Sequence, residues 1–100
     1  MNAKQLAESA TSGGTPPGGI SLALKALWLA RAGRWHEAHD LCEDVEDPAG
    51  SWIHAHLHRV EGDLGNAGYW YDRAGKSQPE GQAGLGEEWF EIAEELSDAE

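Results

Sequence analysis

The chain has 100 residues, a formal net charge of −11 and one cysteine, which suits a single small domain without an internal disulfide. Its hydrophobic content of 40% separates it from intrinsically disordered proteins. The acidic surface repels phosphate groups, so nucleic acid and anionic membranes are not expected as partners. The N-terminus lacks the apolar run of a secretion signal and no segment has the length of a membrane span, which predicts a cytoplasmic protein.

Residues 1–19 are predicted to form a flexible N-terminal arm, because the run ATSGGTPPGG is rich in glycine and proline. Whether Ala3 to Ser9 forms an ordered helix within this arm stays open. From Ser21 the segment SLALKALWLARAG is apolar on almost every side, which predicts a central core helix that ends near Gly33.

Three amphipathic helices are predicted next, followed by a loop and a last helix. The helix that starts at Trp35 repeats its apolar residues at intervals of three and four, as do the helices predicted for residues 48–61 and 64–74. Residues 76–85 are predicted to be a loop, and residues 86–98 a final amphipathic helix. Because no convincing strand pattern occurs, the predicted fold class is all-α.

The apolar pattern repeats within the chain. An offset of 29 residues aligns Ala26 with Ala55 and Gly33 with Gly62. A repeat of this kind predicts two helical hairpins in tandem, each of which buries its apolar face on its neighbour. The hairpins and the last helix are expected to form one domain, residues 20–100.

Each unit resembles a tetratricopeptide repeat, with a small residue in its first helix, glycine at the turn, a large apolar residue after it and alanine three positions later. The matching residues are Ala26, Gly33, Trp35 and Ala38 in the first unit and Ala55, Gly62, Leu64, Ala67, Tyr71, Ala74 and Pro79 in the second. The resemblance implies a short α-solenoid of antiparallel hairpins, residues 20–47 and 48–75, with a C-terminal capping helix at residues 86–98. It also implies a scaffold role in protein–protein contacts.

A candidate metal site lies on the third predicted helix. His54 and His58 are spaced i, i+4 on one face, and Glu61 follows one turn further. Two imidazoles one turn apart can share a metal ion, and a carboxylate can complete the ligand set. This pattern is compatible with a divalent transition metal such as zinc. The alternative is that the histidines hydrogen-bond to a neighbouring helix or line a groove.

The other histidines and the cysteine give weaker evidence of a metal or catalytic site. His36 and His39 are three positions apart, whereas the zinc-peptidase motif needs a spacing of four, so they are expected on a solvated polar face. Cys42 lies on the apolar stripe of its helix and is expected to be an inert core thiol.

A binding face is predicted from Trp52, His54, His58 and Tyr69, since aromatic residues with polar tips are frequent in interfaces. Packing in the core is the alternative for these side chains. The first function hypothesis is therefore a small non-catalytic interaction module without a cofactor, which binds a protein or peptide, including a second copy of itself. Its acidic surface favours a basic partner.

Two other hypotheses stay open. The protein is a metal-binding protein or metal-dependent enzyme that uses His54, His58 and Glu61, or it is a structural subunit whose histidines only connect two helices. No nucleophile with an adjacent base and no glycine-rich phosphate loop is recognisable. The sequence therefore identifies no catalytic residue and favours a protein that is not an enzyme.

Overall fold

The computed structural model describes residues 1–98, with side chains to residue 97, and these residues form six α-helices and no strand. The helices are α1 (Ala3–Ser12), α2 (Leu22–Arg31), α3 (Trp35–Cys42), α4 (Ala49–Val60), α5 (Leu64–Ala74) and α6 (Leu85–Asp98). The predicted all-α class is confirmed. The predicted domain extends to residue 100, and its last two residues lie outside the described part of the chain. None of the described helices has the length and apolar character needed to cross a membrane.

The N-terminal segment differs from the predicted flexible arm. Asn2 caps α1 by accepting a hydrogen bond from the Gln5 backbone, and the Gln5 side chain accepts one from the Asn2 backbone in return. The helix buries a stripe of small residues together with Leu6 against α2 and α6, and Trp28 Nε1 donates to Ser9 Oγ at 3.0 Å. The question left open for Ala3 to Ser9 is thereby answered, since these residues lie within a helix that packs on the core. A stripe made mostly of alanine gives little hydrophobic signal in a sequence.

Two helices, α2 and α4, form the centre of the fold. The predicted core helix α2 packs on α1, α3, α4 and α6, while α4 packs on α2, α3, α5 and α6. Every residue of α4 from Gly50 to Arg59 is buried. A Cβ atom at Gly50 would lie 2.2 Å from the Val45 carbonyl oxygen, so only glycine permits this approach of α4 to the end of α3.

The helices α2 and α3 pack on each other as one pair and α4 and α5 as another, with glycine at each turn. Gly33 and Gly62 have φ angles of 81° and 86°, in the left-handed region that favours glycine. The last helix, α6, packs on α1 and on the first helix of both pairs. Through α2 and α4, the last helix therefore contacts both helix pairs.

A buried polar network holds α4, α5 and α6 together. Arg59 is fully buried and donates hydrogen bonds to Glu88 Oε1 at 2.8 Å and to the Gly81 carbonyl at 3.0 Å. The Glu88 carboxylate also contacts His56 Nδ1 at 2.6 Å and accepts a hydrogen bond from the Tyr71 hydroxyl. Burial alone would raise the pKa of Glu88, but these hydrogen bonds and the nearby charges outweigh it and lower the pKa.

Candidate metal centre

Three histidines from two helices converge between α3 and α4. One ring nitrogen from each of His39, His54 and His58 lies within 4.8 Å of the other two. His54 Nε2 is 2.8 Å from His39 Nε2, and the rings of His54 and His58 stack with their centroids 5.0 Å apart. The 2.8 Å contact is a hydrogen bond between the rings of His54 and His39, so α4 and α3 are joined here as the alternative interpretation of the sequence expects. Three imidazole nitrogens this close can also serve as ligands of a single metal ion.

Local sequence explains how the rings meet. The i, i+4 spacing of His54 and His58 puts them one turn apart on the face of α4 that packs against α3. On α3, Trp35 donates a hydrogen bond from Nε1 to the Leu57 carbonyl at 2.7 Å, which fixes α3 against α4. Because His39 lies four residues after Trp35, it shares that face and is directed at the two histidines of α4.

Two tryptophans enclose the cluster. The Trp35 ring stacks on His39 with a centroid distance of 4.9 Å, and the Trp70 ring of α5 stacks on His54 at 3.8 Å. His54 and His58 are each only 6% exposed, while His39 is partly exposed at the edge. The rings are therefore held in place by aromatic contacts on two sides, and the cluster opens to solvent beside His39.

Glu61 contacts one histidine of the cluster, and together with Asp63 it forms a second group of possible metal ligands around His58. Its Oε2 atom lies 2.7 Å from His58 Nδ1. A carboxylate that accepts the Nδ1 proton orients the ring and makes it a better ligand.

The third ring of the cluster is His39, which the sequence pattern assigned to a solvated face together with His36. His36 is exposed and only its edge contacts Trp35.

The cluster is electrostatically suited to neutral imidazole. Burial, the neighbouring His39 and His58, and the Arg73 guanidinium lower the pKa of His54 from its usual 6.5 to about 4. At neutral pH this ring is therefore unprotonated, which is the form that binds metal.

Cys42 does not join the cluster. Its thiol donates to the His39 carbonyl at 3.1 Å, and burial raises its pKa to about 12. A thiol in this state is not a thiolate ligand at neutral pH, in line with the inert core residue predicted from the sequence.

The four residues of the predicted binding face do not all lie on one surface of the protein. Trp52 is 4% exposed and contacts Lys76, whose Nζ atom lies 4.1 Å from the centre of the indole ring. Trp52 is two residues from His54 on α4 and so points away from the histidine cluster. Tyr69 is 54% exposed, and its ring makes a T-shaped contact with Trp70, the ring that stacks on His54.

No known protein family, curated protein or solved structure matches this chain.

Proposed function

We propose that this protein binds a divalent transition-metal ion, with zinc as the best match, through His39, His54 and His58. The observation that carries the proposal is the convergence of three imidazoles from two helices, with His39 and His54 Nε2 atoms 2.8 Å apart. In a tetrahedral zinc site with bonds of about 2.0–2.1 Å, ligand nitrogens lie about 3.3 Å apart. The His39 and His54 nitrogens would therefore have to separate by about 0.5 Å to hold the ion, and His58, whose ligand atom lies within 4.8 Å of both, would complete the set.

The ligand chemistry favours zinc and its neighbours in the first transition row. Imidazole nitrogen suits zinc, copper and nickel, whereas magnesium and calcium prefer sites made of oxygen ligands. Glu61 adds the carboxylate that commonly supports a metal-bound histidine, through its contact with His58 Nδ1. Binding would also join α3 to α4 covalently through the ion.

Metal content measured on dialysed protein tests this proposal. After incubation with zinc and removal of the excess, we expect close to one zinc per chain, and strong loss of zinc in His39→Gln and His54→Gln. His36→Gln is the matched control, because His36 lies on the same helix but is exposed and outside the cluster. If wild-type protein retains no zinc, nickel or copper and its melting temperature does not respond to them, the metal proposal is wrong.

A second candidate function is the interaction module that the sequence predicts, built on a tetratricopeptide-like arrangement of the two hairpins. Three exposed large apolar side chains favour it, since Val60, Leu64 and Tyr69 all belong to the second hairpin. The simplest partner is a second copy of the chain. Sedimentation analysis should then show a dimer that Leu64→Lys weakens, while Leu22→Lys, a similarly exposed leucine on α2, leaves it intact. A wild-type chain that stays monomeric at high concentration excludes self-association.

A further inference from the structure

A groove with a cavity of about 400 Å³ lies where α1, α2 and α6 meet. Its walls come from one face of α1, from Arg31 at the end of α2 and from Phe90 of α6. None of the residues that line it belongs to the histidine cluster. Its volume falls within the range of small-molecule sites, so the groove can hold a small ligand.

Arg31 is held in this groove by two aromatic rings. Its guanidinium carbon lies 5.0 Å from the centre of the Trp89 ring and 4.9 Å from the centre of the Phe90 ring. Trp89 is buried, and its Nε1 atom donates a hydrogen bond to the Leu27 carbonyl at 2.8 Å, which fixes the ring. A guanidinium that contacts rings through its face keeps the N–H groups in its plane accessible. The donors of Arg31 are therefore positioned before a ligand arrives, which lowers the entropic cost of binding.

The groove holds two positively charged side chains without ion-pair partners in the described part of the chain. There, neither Lys4 nor Arg31 pairs with a carboxylate, whereas four other cations do: Arg34, Arg59, Arg73 and Lys76. Glu8 is the single carboxylate among the lining residues, so positive charges outnumber negative ones on a chain that is otherwise strongly acidic. Because more distant charges are screened beyond about 8 Å at physiological ionic strength, this local balance decides which ligand binds.

The two hydroxyl groups that line the groove already have partners within α1. Thr11 Oγ1 donates to the Ala7 carbonyl at 2.9 Å, and Ser12 Oγ donates to the Glu8 carbonyl at 3.0 Å. A hydroxyl has a single proton to donate. The two cations are therefore the side-chain donors that the groove offers to a ligand.

We propose that this groove binds a small molecule with one carboxylate and an aromatic or apolar body. The fork of Arg31 matches a carboxylate with two parallel hydrogen bonds, and the Lys4 ammonium adds a second positive charge. The body of the ligand lies against the Phe90 ring and the buried Ala7. A single negative charge suits the groove because Glu8 offsets one of its cations and repels a doubly charged group. The site is separate from the proposed metal centre and needs no metal.

A nuclear magnetic resonance titration of isotope-labelled full-length protein tests this inference. The probe is sodium benzoate, and benzamide is the uncharged molecule of nearly the same shape. We expect benzoate to shift the Arg31 Nε–H signal and the backbone signals of α1 in a saturable manner, and benzamide to shift them far less. Arg31→Gln should weaken the benzoate affinity by about tenfold, the loss of one charge-assisted hydrogen bond. Lys25→Gln is the matched control, since it removes the same charge from α2 outside the groove.

Lys4→Gln is a second test, because Lys4 is exposed and its replacement leaves the core intact. It should weaken the benzoate affinity by about two- to fivefold, as for an exposed ion pair. If thermal melting shows that Arg31→Gln does not fold, this variant decides. Equal shifts with benzoate and benzamide, or no saturable shift with benzoate, would overturn the inference. Unchanged affinity in the groove variants, or shifts confined to α3 and α4, would place the benzoate elsewhere and also overturn it.

Discussion

His54 shows how the surroundings of one residue determine its chemistry. Its ring stacks on Trp70, contacts His39 through Nε2 and lies one turn from His58. Burial, the neighbouring His39 and His58, and the Arg73 guanidinium make a positive charge on the ring unfavourable and lower its pKa. In water the same histidine would be partly protonated near neutral pH, but here it is held neutral well below that pH.

The metal-free protein is expected to lose stability in mild acid because of His54. Its pKa falls from 6.5 to about 4 on folding, so between these values the unfolded chain binds a proton that the folded chain does not. The free energy of unfolding should therefore decrease as the pH falls from about 6.5 toward 4. Thermal melts across this range, in the presence of a chelator, measure the effect. His54→Gln should flatten the dependence and His36→Gln should not; identical slopes in all three proteins would contradict the assignment.

Glu61 is expected to act on the metal through His58. Replacement by glutamine removes the charged acceptor of the His58 Nδ1 proton, so metal affinity should fall by about 10–100-fold, as is typical for such supporting carboxylates. Competition with a chromophoric chelator measures this change. Glu94→Gln, an exposed position on α6, is the control with the same loss of charge. Equal metal affinities in the two variants would show that Glu61 does not support metal binding by His58.

At the scale of helices, polar contacts decide which faces are buried. The fourth helix is buried on every side although it carries three histidines and an arginine. His54 and His58 are accommodated by the cluster, and His56 and Arg59 by the Glu88 carboxylate. Buried groups of this kind are tolerated only when they are paired, so the partners on α3 and α6 are what allow α4 to occupy the centre.

Glu88→Ala should destabilise the protein strongly. The substitution leaves Arg59 buried without its carboxylate, and breaking a buried ion pair in this way costs about 3–5 kcal/mol. Urea unfolding followed by circular dichroism measures the loss. Glu91→Ala on the exposed side of the same helix should change stability far less. A similar midpoint for both variants would mean that the network contributes little.

Leu6→Ala tests whether α1 belongs to the folded core. Leu6 is fully buried between α1 and its neighbours, so its truncation should lower the free energy of unfolding by about 2–5 kcal/mol. Lys4→Ala, an exposed position on the same helix, should have little effect. If α1 were a flexible arm, neither substitution would change the unfolding midpoint.

On the scale of the whole molecule, the proposed metal would act as a link between the two helix pairs. His39 belongs to the first pair and His54 and His58 to the second, so an ion bound by all three would join them. A ligand that binds only the folded state stabilises it, by about 2.7 kcal/mol when its free concentration is 100 times its dissociation constant. Metal binding at this cluster would therefore be thermodynamically coupled to folding.

Zinc should raise the melting temperature of the wild-type chain, and a chelator should reverse the change. The rise should grow with free zinc concentration, and it should be absent in His54→Gln, which lacks a central ligand. Calorimetry at several zinc concentrations measures it. A rise of equal size in wild type and His54→Gln would place the bound zinc elsewhere on this acidic chain.

Much of the fold follows from local sequence. Apolar spacing identifies the helices from α2 to α6, and the glycines at positions 33 and 62 mark the turns of two helix pairs, because these properties depend on residues within a few positions of each other. The same spacing singles out His54 and His58 as one face of a helix. It leaves α1 undecided, because an alanine stripe is too weakly hydrophobic to show whether the segment packs on the core.

Tertiary structure alone decided which side chains meet. His39 joins the cluster because α3 packs on the histidine face of α4, and Glu88 reaches Arg59 from 29 residues further along the chain. Periodicity tells which residues share a face of a helix, but the element that covers that face is selected by packing and by the pairing of buried polar groups across the whole molecule.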